Sequence, residues 1–310
     1  MSTSGSVAAA VTYRPAEAPS SLDDFHAPEG VALRYYEITS LDGRGGPAAH
    51  LVPARPAADA PLVLSVHGSG GSIGSLPVRT LALGLSARGV PVLAINTRQS
   101  GAAVNTDNYY ATVRDIEAAY WTARALGYAK IVLHGHSLGT SQVSVRGDAL
   151  VQLDRRRRAD GDVRGSTVEV APPADQRRDD LPRAHRRSRG RGAGRRLRAH
   201  AVHSDVVARR GVRSRGGAAL PDLPAHRHRG ARSLDWIARV PNPILMVRDE
   251  HDTVIHDFEP GCLEAALEHG LSPSVTSVTL LSPEGTEGHR FEGSSESLVD
   301  TVAGWLAKLD

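Results

Sequence analysis

Lys130 to Gly139 reads KIVLHGHSLG, and this stretch decides how the rest of the chain is read. Its first half, Lys130 to His134, is a short apolar run of the kind a buried strand needs. Its second half, Gly135-His136-Ser137-Leu138-Gly139, sets a serine between glycines two residues away on either side. A sharp turn from strand to helix strains the serine backbone and crowds its neighbours, so those two positions require glycine. The turn lifts the hydroxyl above the sheet at a helix N-terminus. A Gly-flanked turn that merely closes a strand would explain the glycines but not the apolar run feeding them.

Working outward, short apolar strands alternate with helices. Ala32 to Thr39 and Ala48 to Val52 read as two early strands, and Pro61 to Val66 as a third that ends in His67-Gly68-Ser69-Gly70-Gly71. Leu76 to Arg88 reads as a helix closed by Gly89, Val90 to Asn96 as a buried strand, and Asn108 to Leu126 as a helix stopped by Gly127. Further on, Leu234 to Val240 predicts a short helix, Pro243 to Val247 a strand, Cys262 to His269 a helix, Val275 to Leu281 a strand and Ser295 to Leu309 a closing amphipathic helix. This alternation predicts an α/β fold with a mostly parallel central sheet and helices on both faces.

At 310 residues the chain has room for one large α/β domain or two smaller ones. Its single cysteine, Cys262, excludes an internal disulfide. The first 25 residues carry no basic n-region and no apolar stretch of signal-peptide length, and read as a disordered lead-in. No run approaches the ~18 apolar residues needed to span a bilayer, so the chain reads as cytoplasmic with no membrane partner. The net charge of +3 averages two unlike regions. Arg146 to Arg232 holds 23 Arg and no Lys against 10 acidic residues, a balance of +13; the rest holds 14 basic against 24 acidic residues, a balance of −10. The chain therefore divides into the lead-in 1–25, a first α/β part 26–145, the aberrant segment 146–232 and a second α/β part 233–310.

A serine nucleophile needs a base, a residue to orient that base, and donors for an oxyanion. The Gly-rich turn after the Pro61–Val66 strand is placed to supply one main-chain N–H and the residue after the nucleophile another, which assigns Ser69 and Leu138. Taken alone, that turn is also simply a flexible loop; it lacks the Lys-Ser/Thr pair of a phosphate loop. With a nucleophile on such a turn, the partners follow in the order acid, then histidine. Among the histidines after residue 232, His289 lies in Gly285-Thr286-Glu287-Gly288-His289, a loop between the last strand and the last helix. His269 sits where a helix ends and reads as a cap; His251 and His256 share the loop that should supply the acid. That loop, Arg248 to Ile255, follows a strand and offers Asp252 ahead of small and branched residues, with Asp249 the main rival and Asp257 more distant. Surface charge is the ordinary reading of the two that lose.

Over about Pro61 to Thr140 and Ser233 to Asp310 the chain resembles the α/β-hydrolase superfamily, through VHGSGG, HGHSLG, the DEHD loop and EGTEGHRF. The resemblance implies acyl transfer on a small-molecule acyl substrate, by an esterase-like serine hydrolase. Ser137 attacks a carbonyl, His289 accepts its proton, Asp252 orients His289, and water hydrolyses the acyl-enzyme. It implies no metal and no organic cofactor. Thioesters and amides are the other substrates this chemistry serves, and a serine at 137 argues against dehalogenase chemistry.

Arg146 to Arg232 fits none of this. Its 87 residues include no Phe, Tyr, Trp, Ile, Met, Lys, Asn or Cys, which denies it the large apolar side chains that supply most burial energy. Only Ser166 to Val170 hints at a strand. A nucleic-acid arm would mix Lys with Arg and carry aromatics to stack on bases, so nucleic acid is disfavoured as a partner. A metal site built from His185, His200, His203, His226 and His228 has no defensible ligand spacing. Out-of-frame translation of GC-rich DNA accounts best for the composition, because the missing residues mostly have codons rich in A and T. On that reading the strand expected between the Ser137 strand and the acid's strand is lost, along with any cap. The competing view of the whole chain is a catalytically inactive hydrolase-like protein that binds nucleic acid through this segment.

Overall fold

The computed structural model describes residues 11–145, 199–204 (backbone only) and 233–309. In chain order the elements are β1 (Thr12–Ala16), β2 (Val31–Thr39), β3 (Gly45–Pro53), β4 (Leu62–Val66), α1 (Leu76–Ala87), β5 (Val92–Ile95), α2 (Thr112–Ala125) and β6 (Ile131–His136). Then come a helix α3 at 138–145, β7 (Ala199–Ser204), β8 (Ile244–Asp249), α4 (Glu259–Glu268), β9 (Val275–Leu280) and α5 (Ser295–Leu306). The nine strands form one sheet in the order β1-β2-β3-β5-β4-β6-β7-β8-β9. The first three are antiparallel to their neighbours, and every pair from β5 across to β9 is parallel.

Strand alternation sends side chains to two cores, as expected for a sheet covered on both faces. On β4, Leu62, Leu64 and Val66 pack with Ile116, Ala119 and Ala123 of α2. Val63 points the other way, with Val132 of β6 and Leu245 and Val247 of β8, onto Leu81 and Leu85 of α1 and Val299, Val302 and Trp305 of α5. Ile244 and Met246 of β8 meet Leu263 and Leu267 of α4. Gly89 and Gly127 end α1 and α2 in the left-handed region, with φ of 82° and 99°, where glycine carries no steric penalty.

Three expectations change. The lead-in 1–25 is not disordered throughout. β1 pairs with β2, Tyr13 sits edge-on against Tyr36 at 5.6 Å, and Val11, Leu22 and Phe25 are buried. The apolar side chains in an otherwise polar stretch add an edge strand to the sheet; residues 1–10 lie outside the described residues. Leu234 to Val240 forms two short 3-10 turns rather than one helix. The strand between β6 and β8 is not lost from the aberrant segment, because β7 pairs with both, Leu133 opposite Ala201 and Met246 opposite His203. The hint of a strand at 166–170 and the remainder of 146–232 lie outside the described residues.

Candidate active site

β6 delivers Ser137 at the carboxyl end of the sheet, between β4 and β7. Its φ is 53°, the left-handed region that a non-glycine residue adopts only when its surroundings enforce it. The flanking glycines show what enforces it. A Cβ on Gly135 would lie 2.4 Å from the carbonyl carbon of Gly139 and 2.5 Å from the amide N of Thr140. A Cβ on Gly139 would lie 2.6 and 2.7 Å from the carbonyl oxygens of His67 and Val66. One glycine lets α3 fold back on its own strand, and the other lets α3 sit against the end of β4. Thr140 closes the turn, its hydroxyl donating to the Gly135 carbonyl at 3.0 Å and its N–H to the Ser137 carbonyl at 3.0 Å.

The loop after β8 and the turn after β9 bring Asp252 and His289 together. His289 Nδ1 lies 3.1 Å from Asp252 Oδ2. A carboxylate only accepts, so Nδ1 carries the proton of this hydrogen bond. Asp252 is held on its other oxygen, where Oδ1 accepts from the amides of Val254 at 2.8 Å and Ile255 at 3.0 Å. Among the described residues no hydrogen bond is recorded between Ser137 Oγ and His289. The two loops interlock: a Cβ on Gly288 would lie 2.3 Å from the His251 carbonyl carbon and 2.4 Å from the Asp252 amide.

Leu138 follows Ser137 in the chain, and Ser69 follows Gly68 in the turn after β4. Gly68 is so close that a Cβ there would come within 2.9 Å of Ser137 Cβ, so the turn that carries Ser69 packs against the Ser137 turn. The main-chain N–H of neither Ser69 nor Leu138 donates to a described residue. The turn is held from below by His67, whose Nε2 accepts the Thr97 amide at 3.0 Å. Nδ1–H then donates to the Gly68 carbonyl at 2.7 Å. Burial pushes the His67 pKa down, against the Gly68 hydrogen bond and Asp115, keeping the ring neutral. Thr97 is fixed in turn by Arg98, a guanidinium buried against Asp115 at 2.7 Å and Asp42 at 2.8 Å. The hydrogen bond from Arg98 holds the Asp42 carboxyl well below the usual range.

The chain matches the alpha/beta hydrolase family over residues 63–286, well over half its length. It belongs to that family. Among solved structures it is similar to an esterase from Pyrococcus furiosus, with 15% identity, 95% of this chain and 98% of that chain covered, and a TM-score of 0.58. A putative dienelactone hydrolase from Klebsiella pneumoniae aligns at 16% identity over 90% of this chain and 100% of that one, with a TM-score of 0.53. Est1E from Butyrivibrio proteoclasticus aligns at 15% identity over 90% and 98%, with a TM-score of 0.53. At these identities the likeness is one of fold. No curated protein matches.

The two other aspartates of the Asp252 stretch have different partners. Asp249 is fully buried and does not touch His289; it accepts from the His251 amide at 2.9 Å, from the Ser282 hydroxyl at 2.8 Å and from the Ser294 hydroxyl. It ties the acid loop to the end of β9 and the start of α5. Asp257 is exposed and pairs with Arg248 at 2.6 Å. His269 caps α4, and His256 stacks on Phe258. Sequence reasoning passed over His136, whose ring lies 4.9 Å from that of His289 and whose Nε2 is 2.8 Å from the His289 carbonyl oxygen. Its place directly before the nucleophile was the available signal. Of the histidines weighed as metal ligands, His185, His226 and His228 lie outside the described residues, and only the backbone of His200 and His203 is described. Among the described residues no cluster of His, Cys, Asp or Glu could hold a metal, and no helix is long and apolar enough to cross a membrane.

Proposed function

We propose that this α/β hydrolase is a serine esterase that cleaves small or medium acyl esters through an acyl-enzyme. The observation that carries the reading is the pairing of a left-handed Ser137 with a His289 whose Nδ1 is committed to Asp252. Ser137 Oγ attacks the ester carbonyl while His289 Nε2 takes its proton. The negative oxygen of the tetrahedral intermediate is met by the Ser69 and Leu138 amides, and His289 returns the proton to the departing alkoxide. Water, activated by the same histidine, then releases the acid and restores Ser137. The esterases among the structural neighbours fit this reading. No step calls on a metal or an organic cofactor, and the acyl substrate is the only partner required. The test is turnover of p-nitrophenyl acetate and butyrate. A burst of about one p-nitrophenol per chain, absent from Ser137→Ala, is expected. Equal turnover by the two proteins would overturn the reading.

A further inference from the structure

We infer that His136 is a positioning residue, whose Nε2–H holds the His289 carbonyl and thereby sets the base loop against the nucleophile turn. The inference rests on the triad reading given above. A carbonyl can only accept, so the 2.8 Å contact fixes the proton of His136 on Nε2 and leaves Nδ1 bare.

Among the described residues three hydrogen bonds hold His289. Its amide donates to Glu287 Oε1 at 3.1 Å, its Nδ1–H to Asp252, and its carbonyl accepts from His136. Glu287 and Asp252 belong to the loops after β9 and β8, and would travel with them. Of the three bonds, the one from His136 reaches across from the strand that carries the nucleophile. It spans 153 residues of sequence, while His136 is covalently joined to Ser137. The same ring also backs the oxyanion turn, since a Cβ on Gly68 would lie 3.2 Å from His136 Nδ1. Phe291 closes the far side, with its ring 6.4 Å away and at 69°. His136 therefore touches the nucleophile turn, the oxyanion turn and the base loop at once.

The chemistry favours an uncharged donor here. His289 becomes positive during each acylation, and a cation on a buried ring 4.9 Å away would oppose that. Burial, and then His289 itself, push His136 down to about 3, so it stays neutral while it donates.

The experiment compares His136→Phe, which keeps a flat ring without a donor, with His136→Gln, which keeps an N–H of similar reach. Thermal unfolding, steady-state kinetics on p-nitrophenyl butyrate and fluorophosphonate inactivation rates are measured on each. A misplacement of about 1 Å costs up to about 10²-fold in rate. The Phe variant should thus lose about 10- to 100-fold in kcat with KM within about twofold, and the Gln variant should recover to within about fivefold of wild type. Equal behaviour of the two folded variants would overturn the inference. A wild-type protein that neither turns over nor labels would overturn the triad reading instead. In that case, or if the Phe variant does not fold, the strut is read from ¹⁵N-histidine NMR. A histidine with a protonated Nε2 and a bare Nδ1, present in wild type and missing in His136→Gln, sustains it; no such signal refutes it.

Discussion

Asp249 ends β8 and Asp252 lies three residues further on, and their different hydrogen bonds predict separable effects of substitution. In Asp252→Asn, Oδ1 can go on accepting the amides of Val254 and Ile255, which turns the new NH₂ toward His289 Nδ1. Two donors then face each other unless the ring changes tautomer, which moves its proton to Nε2 and leaves nothing to take the Ser137 proton. Where a triad loses its orienting carboxylate in this way, kcat falls on the order of 10³ to 10⁴, or about 4 to 5.5 kcal/mol of transition-state stabilisation. Because the two amide bonds survive, the unfolding temperature should change by no more than a few degrees. Asp249→Asn removes one charged oxygen from the bonds to the His251 amide and the Ser282 and Ser294 hydroxyls, without touching His289. Hydrogen bonds to a buried charge contribute about 1.5–3 kcal/mol each. Asp249→Asn should therefore lower the unfolding free energy by about 2–4 kcal/mol while kcat stays within about tenfold. Ester kinetics and urea unfolding on both variants decide the matter. A stable but active Asp252→Asn beside a stable but inactive Asp249→Asn would refute the assignment.

Three further predictions follow from geometry, burial and composition. Gly288→Ala drives a Cβ into the backbone of His251 and Asp252, so calorimetry should show a loss of about 1–3 kcal/mol with at least a tenfold fall in kcat, whereas Gly304→Ala, in open space on α5, should stabilise by about 0.5–1 kcal/mol; equal stabilities would contradict the packing. Burial pushes His50 and His136 down to about 3 and His134 to about 4, and lowers His67 as well. Below pH ~6.5 the unfolded chain binds protons that these folded-state rings refuse, so stability is full above that pH and lost as pH falls, at about 1.4 kcal/mol per pH unit per group. Urea midpoints unchanged from pH 6.5 to 4.5 would contradict this. For residues 146–232, the proposal of a lost reading frame predicts that another forward frame of the coding DNA restores Ile and aromatic residues; stop codons in both other frames would end it.

Much of the sheet was legible because its central strands are short apolar runs bounded by turns, as at Leu62–Val66, Val92–Ile95 and Ile244–Asp249. The candidate site was legible where the chain carries an odd local pattern. Glycines two residues either side of Ser137, and a loop histidine after the last strand, have few other uses. What escaped depends on partners distant in sequence. Thr12–Ala16 is a strand only because β2 offers an edge for Tyr13 and Val11 to cover. Ala199–Ser204, with small residues and two histidines, shows no apolar run, and takes its place from β6 and β8 on either side. The tasks of Asp249 and His136 could not be read locally, since each is defined by groups 33 to 153 residues away.

The measurement that bears most directly on the account is mass spectrometry of the protein after reaction with a fluorophosphonate. The account predicts one phosphonyl group per chain, on the tryptic peptide containing Ser137, formed at least about 10³-fold more slowly in Asp252→Asn. A folded protein that takes up no label, or takes it on another serine, would contradict it.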